Sequence, residues 1–190
     1  MKVFFVGVVK ADSKPATLLS KASDLSSFSF FQRSSIQDFL CFFATTIAER
    51  TQPGQRQGIE ENSKPDGLAG TVITDQEYPS RVALSLANKI MDEFSLLYNQ
   101  SQWASMNSLV EIPALQKLLV DYQKPQQADV IMNVQQELDE TKVVLHKTIE
   151  SLLERGERLD SLVERSNQLS DQSKMFYKTA KKANSCCIIM

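Results

Sequence analysis

Between Ile131 and Ala183 the chain carries an apolar stripe that advances alternately by three and four residues. No other feature constrains the fold as much. Its sixteen positions are Ile131, Val134, Leu138, Thr141, Leu145, Thr148, Leu152, Arg155, Leu159, Leu162, Ser166, Leu169, Ser173, Phe176, Ala180 and Ala183. Eleven are apolar, four are small hydroxyl residues and one is Arg. A seven-residue repeat sustained this long is a coiled-coil seam, because it holds one face of a helix against its partners. Pro is absent from Asp129 to Asn184 and Gly occurs once, so the pattern runs almost unbroken. A fully helical segment would span about 78 Å, too long and too polar outside to belong to one compact domain.

Arg155 stands where a Leu is expected. The register is fixed on both sides by Leu145, Leu152, Leu159, Leu162 and Leu169, so the seam passes through it. An unpaired charge inside such a seam costs several kcal/mol, on the order of a broken buried ion pair. Partner helices must therefore bring acceptors, such as the amide oxygens of Gln. A polar layer of this kind fixes register and partner number at some expense in stability.

The first 120 or so residues follow different rules. Val3–Val9 is apolar on both faces, as a central strand covered on both sides would be. Ala16–Ala22 reads as a second strand after a turn at 13–15, and Leu68–Thr74 as a third. A capping-box pattern at Ser35–Asp38 opens a helix carrying Ile36, Phe39, Leu40, Phe43 and Ile47. Pro79 suits the first turn of a second helix, striped by Val82, Leu86, Ile90, Phe94 and Leu97. Asn99–Asn107 reads as a loop, and Pro113 introduces a short helix with Leu115, Leu118 and Leu119. The expected divisions are a domain at 1–122 with an irregular loop at 51–66, a linker at 123–129, a coiled-coil segment at 130–184 and a tail at 185–190.

That tail reads Cys186-Cys187-Ile188-Ile189-Met190, and its last four residues match C-a-a-X with a Met that usually directs farnesylation. Cys187 is the expected prenylation site and Cys186 a second lipidation site, since two chains hold a protein to a membrane far better than one. Lys174, Lys178, Lys181 and Lys182 precede them with no acid after Asp171, which favours an anionic leaflet. No stretch approaches 18 apolar residues, so nothing spans a bilayer and the chain is expected to be cytosolic until lipidated. Cys41, among Phe39, Leu40, Phe42 and Phe43, reads as a reduced core thiol.

Several classes fall away. With 21 basic against 23 acidic residues there is no basic surface for nucleic acid. The single histidine, His146, excludes sites needing two, and phosphate-loop, nucleophile-elbow and Cys-x-x-Cys patterns are absent. The expectation is a non-enzyme without a cofactor other than covalent lipid. A prenylated tether or adaptor without fusion activity is the alternative.

A sixteen-layer seam with seven layers before one central Arg and eight after it, at Leu152-Leu153-Glu154-Arg155-Gly156-Glu157, resembles the synaptobrevin-like R-SNARE motif. Ser26–Ser35 and Asp75–Arg81 resemble a longin domain, and the ending resembles that of the prenylated longin R-SNARE. The resemblance implies an α+β, profilin-like longin fold followed by a long SNARE helix. It implies that Arg155 meets three Gln residues from Qa-, Qb- and Qc-SNARE helices. Cys187 would be farnesylated, lose Ile188–Met190 and be carboxymethylated, while Cys186 would take palmitate or a second prenyl group. A closed form would dock the SNARE segment on a longin surface including Phe39, Phe42 and Phe43. The chain would act in fusion in ER–Golgi, Golgi, endosomal, vacuolar and autophagic transport, on the cytosolic face of those membranes. Longin sheets have five strands; here the interval before Leu68 lacks an alternating apolar run, so an incomplete sheet of three strands is expected.

Overall fold

The computed structural model describes residues 1–12, 14–50, 67–125, 153 and 156–185. The loop expected at 51–66, most of the linker at 123–129 and the tail from 186 onward lie outside them. In chain order the described elements are β1 (Val3–Lys10), β2 (Thr17–Ser23), α1 (Phe30–Arg50), β3 (Leu68–Thr74), α2 (Ser80–Leu97), α3 (Gln100–Ser105), α4 (Pro113–Asp121), α5 (Leu159–Arg165) and α6 (Asp171–Ser185).

The three strands form one antiparallel sheet in the order β2-β1-β3. β1 is central, which is why its sequence is apolar on both faces. Phe5 and Val9 meet Leu40, Ala44 and Ala48 of α1 on one side. Val6 and Val8 meet Leu86, Ile90 and Phe94 of α2, Leu115 and Leu119 of α4, and Trp103 of α3 on the other. The ladder shifts between Val3 and Phe5, so alternation slips by one residue and Val3 joins the face of Val6 and Val8.

Lys10, at the end of β1, is buried, and its ammonium donates to the carbonyls of Ala104 (3.1 Å) and Met106 (2.8 Å) and to Asn107 Oδ1 (3.2 Å). A cation on the last carbonyls of α3 satisfies groups that a helix end leaves unpaired. Tyr78 donates to the Tyr122 carbonyl at 2.7 Å, tying the start of α2 to the end of α4, and burial pushes its phenol up to about 12.

Four local expectations are corrected. α1 starts at Phe30 rather than Ser35, because the Ser29 carbonyl already accepts from Gln32 N at 3.0 Å and nucleates the first turn. Ser35 is buried inside the helix. Asn99–Asn107 is not simply a loop: Asn99 Oδ1 accepts from Gln102 N while Gln102 Oε1 accepts from Asn99 N, a reciprocal cap that starts α3. The stripe of α2 ends at Phe94, and Leu97 is 56% exposed. The long SNARE helix is, in its described part, two helices broken at 166–170.

Gly70 in β3 is demanded by close approach, since a Cβ there would sit 2.7 Å from Met91 Cγ and 2.8 Å from the Ala87 carbonyl oxygen of α2. The carbonyl cannot yield without distorting the helix. Gly70→Ala should destabilise the domain by about 1–3 kcal/mol, outweighing the roughly 0.5–1 kcal/mol gained from a stiffer unfolded chain. Urea unfolding followed by circular dichroism checks it; an unchanged or raised midpoint would refute the packing argument.

Candidate functional site

α1 carries two apolar faces. Leu40, Ala44 and Ala48, four residues apart, sit on the sheet. Phe39 and Phe42 point to the other side and, with half-buried Phe43, form an aromatic cluster with ring centroids 5.8 Å apart for Phe39–Phe43 and 5.4 Å for Phe42–Phe43. That second face would lie bare but for α5 and α6. Val163 and Leu169 are buried against it, and Leu159, Leu162, Phe176 and Tyr177 pack around them. Tyr177 lies 5.9 Å from Phe39, centroid to centroid.

Polar contacts frame this apolar patch. Arg50 pairs with Glu157 at 2.8 Å, and Glu157 also takes Arg165 at 2.9 Å. Thr45 Oγ1 donates to Gln168 Oε1 at 2.7 Å, while Ser170 and Ser173 both donate to Asp38 Oδ2 at 2.8 Å. Contacts thus run from Arg50 at one end of α1 back to Asp38. Gly156 lets the chain reach this course. Its φ of +86° is a left-handed conformation that glycine adopts without penalty. No helix passes through a residue so placed, so α5 begins afresh at Leu159.

α5 and α6 also hold each other. Asp160 accepts from Lys181 and from Tyr177 (3.0 Å), and these two donors, Lys181 first, hold its carboxyl below the usual carboxylate range. Lys178 pairs with Glu164 at 3.1 Å, and Lys174 donates to the Glu164 carbonyl at 3.2 Å. Lys174, Lys178 and Lys181, assigned to a membrane surface, are therefore engaged inside the hairpin. Exposed pairs of this kind add little net stability because solvent screens them, so they yield to a stronger attraction.

Seam positions Leu159, Leu162, Ser166, Leu169, Ser173 and Phe176 are buried or half-buried, and Ala180 is half-buried. Ile131, Val134, Leu138, Thr141, Leu145, Thr148, Leu152 and Arg155 lie outside the described residues, as do Cys186, Cys187 and the Ala183 side chain. The most buried residue of α5 is Val163, which is not a seam position. Its spacing from Leu159 and Ser166 (i, i+4, i+7) marks a helical face turned slightly from the seam. Asp38, Thr45 and Arg50 of α1 and Gln168 between α5 and α6 carry no sequence signal of their own, being polar residues outside any apolar period. Cys41 is free and half-buried, 3.4 Å from Lys21 Nζ.

Among the described residues no helix is long and apolar enough to cross a membrane. A model of the synaptobrevin family matches residues 130–188, and one of the longin, or regulated-SNARE-like, domain matches residues 25–113. The chain is 57% identical over 196 residues to the synaptobrevin homolog ykt6 of Schizosaccharomyces pombe, covering 100% of both chains. Likeness to synaptobrevin homolog YKT6 is 51% in Debaryomyces hansenii and 50% in Saccharomyces cerevisiae, each over 200 residues and 100% of both chains. A sheet flanked by helices, a second apolar face on α1 and a heptad segment seated on that face all fall within these matches, and the chain belongs to the synaptobrevin family as a longin-domain R-SNARE.

Proposed function

We propose that this R-SNARE of vesicle fusion alternates between a docked state, with its seam on α1, and a four-helix bundle in which Qa-, Qb- and Qc-SNARE helices replace α1. The observation that carries the reading is the burial of Leu169, with partial burial of Leu159, Leu162 and Phe176, against Phe39 and Phe42. The bundle needs the same side chains facing inward. One stripe cannot face two partners at once, so docking and assembly exclude each other.

In the bundle Arg155 is the central ionic layer, its guanidinium satisfied by three glutamine oxygens and shielded from water by the apolar layers on each side. Assembly converts Gly156 from φ +86° to a helical value and joins α5 to α6. Each apolar layer that closes removes surface from water at about 25 cal/mol per Å². Zippering from Ile131 toward Ala183 draws the tail toward the opposing membrane. The force reaches the bilayer through lipids on Cys187, farnesylated and then carboxymethylated, and on Cys186, palmitoylated or prenylated. Lys174, Lys178 and Lys181 exchange their hairpin partners for anionic headgroups, and Lys182 joins them there. The membranes served are those of ER–Golgi, Golgi, endosomal, vacuolar and autophagic transport, approached from the cytosolic side.

Mixing the chain with Q-SNARE helices should give a heat-resistant complex, and Arg155→Leu should still assemble but with relaxed choice of partners. A chain that forms no such complex under any condition would remove the fusion reading.

Phe42→Glu places a carboxylate in the apolar cluster, with a loss comparable to the roughly 3–5 kcal/mol of a truncated core Phe. Limited proteolysis within 157–185 should accelerate at least tenfold, and complex formation should quicken. Unchanged cleavage would mean that the docked state does not gate assembly. Cys187→Ser should abolish recovery with membranes in cell fractionation; undiminished membrane recovery would rule out the prenyl anchor.

A further inference from the structure

Among the described residues β3 is an edge strand with nothing paired to its open side. Its register with β1 settles which groups face outward. Ala11 N donates to the Gly67 carbonyl at 2.7 Å, and the pairs Val9–Ala69, Gly7–Thr71 and Phe5–Ile73 follow in step. Bonded pairs alternate with non-bonded ones in an antiparallel ladder, so Leu68, Gly70 and Val72 turn their N–H and C=O groups away from β1. Among the described residues nothing outside the sheet's own ladder bonds to those groups. The strand is partly exposed at Ala69, Gly70, Val72, Ile73 and Thr74, although helices cover both its faces.

The opposite edge is protected. β2 carries Lys21, meets a ladder irregularity beside Val9, and has its Leu19 carbonyl taken by Val110 N at 2.7 Å. Lysine, bulges and covering segments are the usual means of blunting an edge. β3, reading Leu-Ala-Gly-Thr-Val-Ile-Thr, has no charge and no Pro, and its one ladder shift lies at the far end.

We propose that this edge joins a second copy of the chain, β3 to β3, across a two-fold axis through Gly70, making one six-stranded antiparallel sheet from two three-stranded ones. The register is self-complementary. Leu68 stands opposite Val72 of the second copy, Gly70 opposite Gly70 and Val72 opposite Leu68, all with outward-facing groups, giving about six backbone hydrogen bonds. Leu68 and Val72 pair as apolar side chains on the face covered by α2. A two-fold pairing is closed and adds no further copies. Edge pairing over seven residues is small beside the roughly 1,200 Å² of a stable interface, so the dimer depends on concentration.

The test is hydrogen exchange and sedimentation on the full chain from low to high micromolar concentration. The amides of Leu68, Gly70 and Val72 should gain protection as the mass doubles, while those of Ala69, Thr71 and Ile73 stay protected throughout. Val72→Pro removes one outward donor and no bond to β1, and should abolish the dimer while leaving circular dichroism unchanged. Should that variant fail to fold, the exchange pattern of the natural chain still decides. A monomer at every concentration overturns the proposal. So does constant protection of the three outward amides, which would mean that the chain's own residues cover the edge. A dimer in which those amides exchange freely overturns it as well, since its interface would lie elsewhere.

Discussion

The contact between α1 and the seam organises the rest of the molecule. A 21-residue helix with one apolar face satisfies a sheet and leaves nothing over. α1 has a second face, and Phe39 and Phe42 on it would expose large aromatic surface if nothing came to rest there. The SNARE segment has the matching deficiency: α5 and α6 are too short to hold themselves together in water. Each surface covers the other. The polar frame of Arg50–Glu157, Thr45–Gln168 and Asp38–Ser170/Ser173 then fixes where along α1 the segment sits, because an apolar patch by itself sets no register.

Reversibility follows from the same composition. The apolar part of the contact is a handful of side chains, and the frame consists of hydrogen bonds and partly exposed ion pairs whose net worth is about 1 kcal/mol each or less. Glu157 is the exception in placement rather than strength. It lies two residues past Arg155 and is held by Arg50 from the longin domain and by Arg165 from α5. The contact with α1 thus begins two residues past Arg155 and continues over the apolar positions beyond. Gly156, free to adopt φ +86°, turns the chain between the two regions.

Much of the fold was legible because strong periodicity forces it. Val3–Val9 had to be central, Leu68–Thr74 had to be a strand, and the α2 stripe from Val82 to Phe94 could face only one core. Two of the misreadings share one cause: short-range hydrogen bonds that carry no apolar period. Ser29 starts α1 before the capping pattern at Ser35, and Asn99 with Gln102 folds a helix from a polar stretch. The heptad pattern was present in α5 and α6, but it described the stripe and not its continuity. In the free chain Val163 lies deeper than Leu159 and Leu162, the seam residues of its own helix, because the face that α5 turns to α1 is rotated slightly from the seam.

The sheet and the seam pose the same physical problem at different scales. An apolar stripe of side chains and a row of unpaired backbone groups both demand a cover, and each is tolerable only when one is within reach. For the seam the cover is α1, held at high local concentration by the connecting chain. β2 solves its own edge with Val110 and Lys21. Among the described residues β3 has neither device, and at Gly70 α2 presses so close that no larger side chain fits on that face. Close packing of α2 and the open edge meet at the same point of the strand, Gly70, where backbone rather than side chain has to supply any cover.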